Sequence, residues 1–256
     1  MILSVSRLRT YLACGRQYRF RYVEKAEPEF LSAEMLFGSA IHYAISEFHH
    51  SKNNLTPEEM VAMFRLYWEA ELEEAARFGR EVRFKQEDLS AYLTIAKALC
   101  KLYCAEFSQV KAQDVELLFR VPLLDPESGV GSAEHVLDGR IDLVADEMLY
   151  EFKVAGRAAS QSEADTSVQL TAYALAYAYL YGKPVASLAL VTLTKTKTPR
   201  IDVKRTTRTS EDFRRFCEMA CEVAEAIERE AFPRNLEYTY GCRNCEFFKR
   251  CAGGSF

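Results

Sequence analysis

The sequence predicts an α/β fold: a mixed sheet with helices packed on it and a helical region upstream. Three observations carry this. Residues 40 to 110 repeat apolar positions mostly at helical spacing. At Val115 the pattern changes to short runs rich in Val, Leu, Ile and Phe, separated by turn residues, as strands require. A further helical stretch then lies between the first strands and the last two, which places helices against the sheet.

Along the chain, "SVSRLRTYLACGRQYRFRYV" reads as a short helix opening near Ser6, followed by a basic segment. "MLFGSAIHYAISEFHH" reads as a helix beginning after Gly38. "TPEEMVAMFRLYWEAELEEAARF" opens on Thr56, Pro57 and Glu59, a good capping arrangement, and runs on as an amphipathic helix. "LSAYLTIAKALCKLYCAEFSQV" is another. The strands are "VELLFRVPLL", "EHVLDGRIDLVAD" and "MLYEFKVAG", then "PVASLALVTLTKT" and "RIDVKRTT". Between them "SVQLTAYALAYAYLYG" is a helix ending at Gly182. A last long helix starts with Ser210 as N-cap. There is no internal repeat and no low-complexity linker.

The chain has 256 residues, 49% hydrophobic and 27% charged, which suits one folded domain with a substantial interior. No apolar run approaches the roughly 20 residues of a membrane span, and the arginine-rich start does not read as a secretory signal. A cytoplasmic protein is expected. The net charge of −4 argues against a chain that coats nucleic acid by bulk electrostatics. Charge is nevertheless segregated: Arg7, Arg9, Arg16, Arg19, Arg21 and Lys25 face only Glu24 at the start. Lys195, Lys197, Arg200, Lys204, Arg205 and Arg208 cluster again around Asp202, while "EAELEE" is acidic. Such patches bind polyanions or are solvated faces; charge alone does not separate the two.

Strand side chains alternate, so Asp138, Arg140 and Asp142 share one face of their strand, and Glu151 and Lys153 share one face of the next. The connection is short enough for a hairpin, which would bring Asp142 near Glu151 and Lys153. Two carboxylates on adjacent strands make a hard-oxygen site suited to Mg²⁺ or Mn²⁺. A neighbouring ammonium could orient water or offset charge developing on a phosphate. A solvated hairpin face accounts for the same spacing.

"GRIDLV", a hairpin and then "YEFKVA" resemble the D…(D/E)-x-K core of the PD-(D/E)XK nuclease superfamily. The RecB-like branch is the most similar; it includes the nuclease domains of recombination helicase–nucleases and CRISPR-associated adaptation nucleases. "FGSAIHYAI" resembles its G-x-x-x-H helix and "QLTAY" its Q-x-x-x-Y helix. "VTLTKTKTP" resembles the basic strand–turn that follows. These motifs occur in the family's order along most of the chain.

The resemblance implies a restriction-endonuclease-like mixed sheet flanked by helices, with 40–110 a mainly helical insertion and 115–209 the catalytic core. It implies Asp142 and Glu151 as metal carboxylates, Lys153 as the catalytic lysine, the Phe152 carbonyl and His42 as further metal ligands, and Gln169 and Tyr173 facing the site or the nucleic acid. Glu116 is a candidate additional ligand, although a glutamate at a strand end is common.

Eight cysteines point to metal or redox chemistry rather than disulfides in a cytoplasmic chain. Cys242, Cys245 and Cys251 have metal-ligand spacing with one ligand missing. Members of the same branch that carry an iron–sulfur cluster use one cysteine before the nuclease core and three after it. The resemblance therefore implies a [4Fe–4S] cluster on Cys14, Cys242, Cys245 and Cys251, joining segment 238–256 to the start of a single domain spanning 1–256. Zinc is the other metal that four thiolates suit. The chain departs from the family in having Cys14-Gly15 for the usual Cys-Pro, which keeps the ligand and loosens the turn. Cys100/Cys104 and Cys217/Cys221 sit four apart on helices and read as core packing.

The expectation is a metal-dependent DNA nuclease, an exonuclease, acting on DNA with single-stranded character in repair, recombination, phage or CRISPR-related processing. A helicase or adaptation protein would be a separate chain. Tyr18 and Tyr22 are candidates for stacking on bases or for packing. The alternative is a non-catalytic nucleic-acid-binding or assembly subunit that keeps the fold and cluster. A redox or sensor protein would leave the D…E-x-K arrangement unexplained.

Overall fold

The computed structural model describes residues 1–85, 89–235 and 239–252, with backbone alone at Leu89, Thr239 and Tyr240. Positions 238 and 253–256 of the expected cysteine-rich segment lie outside the described residues. The chain begins with β1 (Ile2–Ser4), α1 (Val5–Ala13), α2 (Gly15–Tyr18) and a π-helical turn (Arg19–Val23). Next come β2 (Leu31–Ser32), α3 (Ala33–His50), α4 (Pro57–Arg77), β3 (Val82–Arg83) and α5 (Leu89–Phe107). The long strands β4 (Ala112–Leu124), β5 (Gly131–Ala145) and β6 (Met148–Ala155) precede α6 (Gln161–Asp165) and α7 (Val168–Tyr181). The chain ends with β7 (Ser187–Thr194), β8 (Arg200–Thr206), α8 (Ser210–Glu228), α9 (Thr239–Arg243) and α10 (Phe248–Ala252).

Two compact units share these elements. One gathers Met1–Phe30, Phe119–Gly139 and Arg208–Phe256; the other gathers Leu31–Leu118 and Arg140–Thr207. In the first unit β1 runs parallel to β5, with Leu3 opposite Leu137. Helix α1 opens one residue before Ser6, with Ser4 as its cap, the side chain accepting from the Arg7 N–H. Helix α8 buries Phe216, Cys217, Ala220, Val223, Ala224 and Ile227, which recur at helical spacing. Its cap is Thr209, one residue before the predicted Ser210, because Asp212 completes a capping box there.

In the second unit the end of β5 pairs antiparallel with β6, β6 parallel with β7, and β7 antiparallel with β8. The sheet is mixed, as predicted. Helix α3 starts five residues before Gly38; the apolar face of α3 already includes Ala33 and Phe37, and that packing outweighs glycine's poor helix propensity. Phe37, Ile41 and Phe48 of α3, Phe64 and Trp68 of α4, and Leu99 and Tyr103 of α5 form one core with Phe152, Val191 and Leu193. Each such side chain contributes roughly 1.5–3 kcal/mol on burial. Thr56 and Glu59 form the predicted capping box of α4. Helix α7 is buried on nearly every side, from Leu170 to Tyr177, and packs on β6 and β7 before Gly182 ends it at φ 66°. No helix among the described residues is long and apolar enough to cross a membrane.

Candidate active site

Alternation along β5 and β6 decides which side chains meet. Leu143 stands opposite Tyr150, and both pack with Phe152 against α3, α4 and α5. One position on, Asp142 and Glu151 point to the other side of the sheet. The Asp142 carboxylate accepts the Phe152 N–H at 2.9 Å. Glu151 is 1% exposed and ion-pairs with Lys153, as two residues sharing a strand face can. The first turns of α7 bring Gln169 over them. The Lys153 ammonium donates to Gln169 Oε1 at 2.8 Å, and Gln169 Nε2 donates to Glu151 at 2.8 Å and to the Tyr173 hydroxyl at 2.9 Å. Tyr173 OH is in turn 3.5 Å from Asp142 Oδ1. Lys153, Gln169, Glu151, Tyr173 and Asp142 thus form one connected polar network, with Glu151 and Tyr173 buried and Lys153 partly open to solvent.

His42 reaches the same place from α3. Its Nδ1 is 3.7 Å from Asp142 Oδ2, its ring stands edge-on to Phe152, and it hydrogen-bonds the Phe152 backbone. Burial lowers its pKa, against the opposing pull of the Glu151 charge, so the imidazole is neutral at pH 7 and keeps a lone pair to offer. Glu116 lies inside β4 rather than at a strand end, at φ 54°. It meets Arg140, the neighbour of Asp142 on the same strand face. Burial raises the Glu116 pKa and Arg140 opposes that. Arg140 had no role assigned from sequence; its i, i+2 relation to Asp142 was the available signal.

Asp142 has its pKa raised well above the carboxylate range, first by burial and then by the Glu151 charge. Two buried carboxylates that repel one another, with an imidazole and a backbone carbonyl beside them, are the donor chemistry that suits Mg²⁺ or Mn²⁺. A divalent cation would relieve the repulsion. Among the described residues, no three His, Cys, Asp or Glu side chains are drawn together tightly enough to hold a metal as they stand.

Cys14, Cys242, Cys245 and Cys251 belong to the first unit. Cys14 follows α1 in extended conformation, and its N–H bonds Thr10 O at 2.9 Å. Burial pushes the Cys245 thiol up to about 11, with Glu246, Cys14 and Cys251 adding smaller contributions, so Cys14 and Cys251 each lie within electrostatic reach of Cys245. Cys242 lies one turn earlier, its carbonyl accepting the Cys245 N–H at 3.1 Å. Gly15 allows close approach of the chain: a Cβ there would lie 2.8 Å from Pro233 Cδ. Cys100 and Cys217 are buried in helix packing, and burial pushes both thiols up to about 12.

Much of the segregated basic charge is paired. Arg21 meets Glu246, Arg19 meets Glu24, Lys195 meets Glu34, and Lys204 meets Asp202. Tyr18 stacks on Phe232 and packs edge-on to Tyr11, while the Arg7 guanidinium covers Tyr22. Lys197 and Arg200 are exposed at the turn between β7 and β8.

With 91% of this chain and 84% of the other covered, the fold matches a crystal structure from Eubacterium rectale described as a "Putative exonuclease", at TM-score 0.60 and 11% identity. No match is found among curated proteins. The sequence model described as the PD-(D/E)XK nuclease superfamily matches residues 2–252, and nucleases of that superfamily generally use divalent metals such as Mg²⁺ or Mn²⁺. The chain belongs to the PD-(D/E)XK nuclease superfamily.

Proposed function

We propose that the chain is a divalent-metal-dependent deoxyribonuclease of the RecB-like branch, acting as an exonuclease on DNA with single-stranded character. The observation that carries this reading is the network in which Gln169 ties the Lys153 ammonium to the buried Glu151 and, through Tyr173, to Asp142. A solvated hairpin face has no need of a glutamine from another element to fix its lysine.

His42, Asp142, Glu151 and the Phe152 carbonyl are the groups that would hold the metal, with Glu116 as a further acidic group held by Arg140. When bound, Mg²⁺ or Mn²⁺ polarises the scissile phosphoryl group and eases deprotonation of the attacking water. Lys153, held by Glu151 and Gln169, orients that water and offsets charge developing on the phosphate. Gln169 keeps lysine and glutamate in one arrangement before substrate arrives, and Tyr173 steadies Asp142. Lys197 and Arg200 contact phosphates, which fixes the strand's path without reading its sequence.

The second part of the proposal is a [4Fe–4S] cluster on Cys14, Cys242, Cys245 and Cys251, with Zn²⁺ as the other candidate. The placement of Cys14 and Cys251 within electrostatic reach of Cys245 supports it. Repair, recombination, phage or CRISPR-related processing, with any motor on another chain, is the biological setting this chemistry fits.

The test is cleavage of end-labelled single- and double-stranded DNA by anaerobically purified protein with Mg²⁺, Mn²⁺ or chelator, beside Glu151→Ala. Metal-dependent cleavage lost in the variant supports the enzyme and reveals its polarity. A folded protein that binds DNA and cleaves none under any condition supports the binding-subunit alternative. Iron, sulfide and zinc content of the same preparation decides the cluster.

A further inference from the structure

We propose that Glu34 and Lys195 form a positioning clamp that sets His42 against the Asp142–Glu151 pair. The inference rests on the reading of His42 as a metal ligand. Glu34 lies in the first turn of α3, eight residues and about 12 Å along the helix from His42. Lys195 directly follows β7, and its N–H bonds Ala155 O at 2.8 Å, at the end of the strand that carries Glu151 and Lys153. The two side chains form an ion pair and are only 16% and 17% exposed. Tyr92 of α5 completes it, donating to Glu34 Oε1 at 2.8 Å.

Beyond this pair, the polar contacts of α3 include the His42 bond to the Phe152 backbone and, at its far end, the 2.6 Å contact of His49 Nε2 with the Tyr103 hydroxyl. Between them the interface is largely apolar, through Phe37, Ile41, Ile45 and Phe48. Apolar contact is non-directional and tolerates small slides and rotations of a helix. A buried ion pair adds little net stability, but its geometry fixes register. Glu34–Lys195 supplies that register at one end of α3, tying it to the β6–β7 pair. His42, two turns on, then has one distance and orientation to Asp142. Neither clamp residue touches substrate. Lys195, a member of the basic sequence cluster that reads as a polyanion patch or a solvated face, is occupied with Glu34.

The test is Mn²⁺ affinity, read from the electron paramagnetic resonance signal of free Mn²⁺, on four proteins: wild type, Glu34→Leu/Lys195→Met, His42→Ala, and all three changes together. The paired change removes both charges at once, so neither is left buried alone. Circular dichroism and thermal melts check the fold. The clamp variant should melt like wild type and bind Mn²⁺ about 10-fold more weakly, the scale of loss seen when supporting groups around a metal are removed. On the His42→Ala background it should add nothing, because it acts through His42.

Wild-type affinity in the clamp variant, or the same added loss without His42, overturns the clamp. If that variant does not fold, Glu34→Gln and the reversed pair Glu34→Lys/Lys195→Glu carry the same test. Weakened binding in the first with recovery in the second supports the clamp, and unchanged binding in the first overturns it. A folded wild type that binds no Mn²⁺ removes the metal-nuclease reading and the clamp with it. Intact wild-type binding with an unmoved clamp variant removes the clamp alone.

Discussion

The Asp142 carboxylate accepts the Phe152 N–H at 2.9 Å, so the side chain closes a backbone bond across the β5–β6 hairpin. Burial and then Glu151 both disfavour its charged form. Asp142→Asn keeps an acceptor for Phe152 and removes the repulsion. It should hold or raise stability, by up to about 1–2 kcal/mol, while abolishing metal-dependent cleavage. Asp142→Ala leaves the amide without its partner and should cost about 1–3 kcal/mol. Thermal melts and cleavage assays on both variants check this; Asn melting as low as Ala would refute it.

Gln169 bonds Lys153 and Glu151 at once. In Gln169→Ala the ammonium loses an acceptor and the carboxylate a donor, with no change in net charge. The turnover number should fall about 10–100-fold, or roughly 1.4–2.8 kcal/mol of barrier, with DNA affinity within about twofold of wild type because phosphate contacts dominate binding. Single-turnover cleavage at saturating enzyme separates the two. An unchanged rate there would leave Gln169 as helix surface only.

His49 is 3% exposed, with Nδ1 at 2.9 Å from Asn53 Oδ1 and Nε2 at 2.6 Å from the Tyr103 hydroxyl. Burial lowers its pKa from 6.5 to about 4. The unfolded chain therefore binds the proton first, and stability is full above pH 6.5 and declines as pH falls through that value toward 4. At pH 5 the loss from this group is about 2 kcal/mol. The check is urea unfolding at pH 7.5 and pH 5 on wild type and His49→Gln. Wild type should lose more than the variant, and parallel curves would be the contrary result.

Legibility from sequence followed the range of the interaction. Asp142, Glu151 and Lys153 meet through strand alternation and a short hairpin, both local, so the residues themselves announced the encounter. Thr56 and Glu59, three apart, were readable as a cap for the same reason. His42 came only through resemblance, since a histidine inside an apolar helix carries no mark of what lies opposite. Gln169 was placed on the right helix, but α7 is apolar on nearly every side and its period does not say which polar group points at the sheet. Lys195 and Glu34 are 161 residues apart, and their pairing is set by how α3 meets the end of β7, which no local pattern encodes.

Gly15 and Gly38 should respond to alanine with opposite signs. Gly38 lies inside α3 with nothing within 4 Å of a Cβ placed there. Gly38→Ala should stabilise by about 0.5–1 kcal/mol through helix propensity. At Gly15 the added Cβ would sit 2.8 Å from Pro233 Cδ and 2.9 Å from its N, and the Arg16 N–H bonds Pro233 O at 3.1 Å in the same contact. Backbone so close cannot yield as a flexible side chain does, and Gly15→Ala should cost about 1–3 kcal/mol. Because Gly15 adjoins Cys14, the strain falls on the cysteine group. Half-buried Cys245 should react faster with a thiol reagent in Gly15→Ala than in wild type, and at the wild-type rate in Gly38→Ala. Melting temperatures and thiol-modification rates, measured side by side, decide the pair. A Gly15→Ala protein as stable and as unreactive as wild type would mean that the contact with Pro233 relaxes freely and does not hold Cys14 in place.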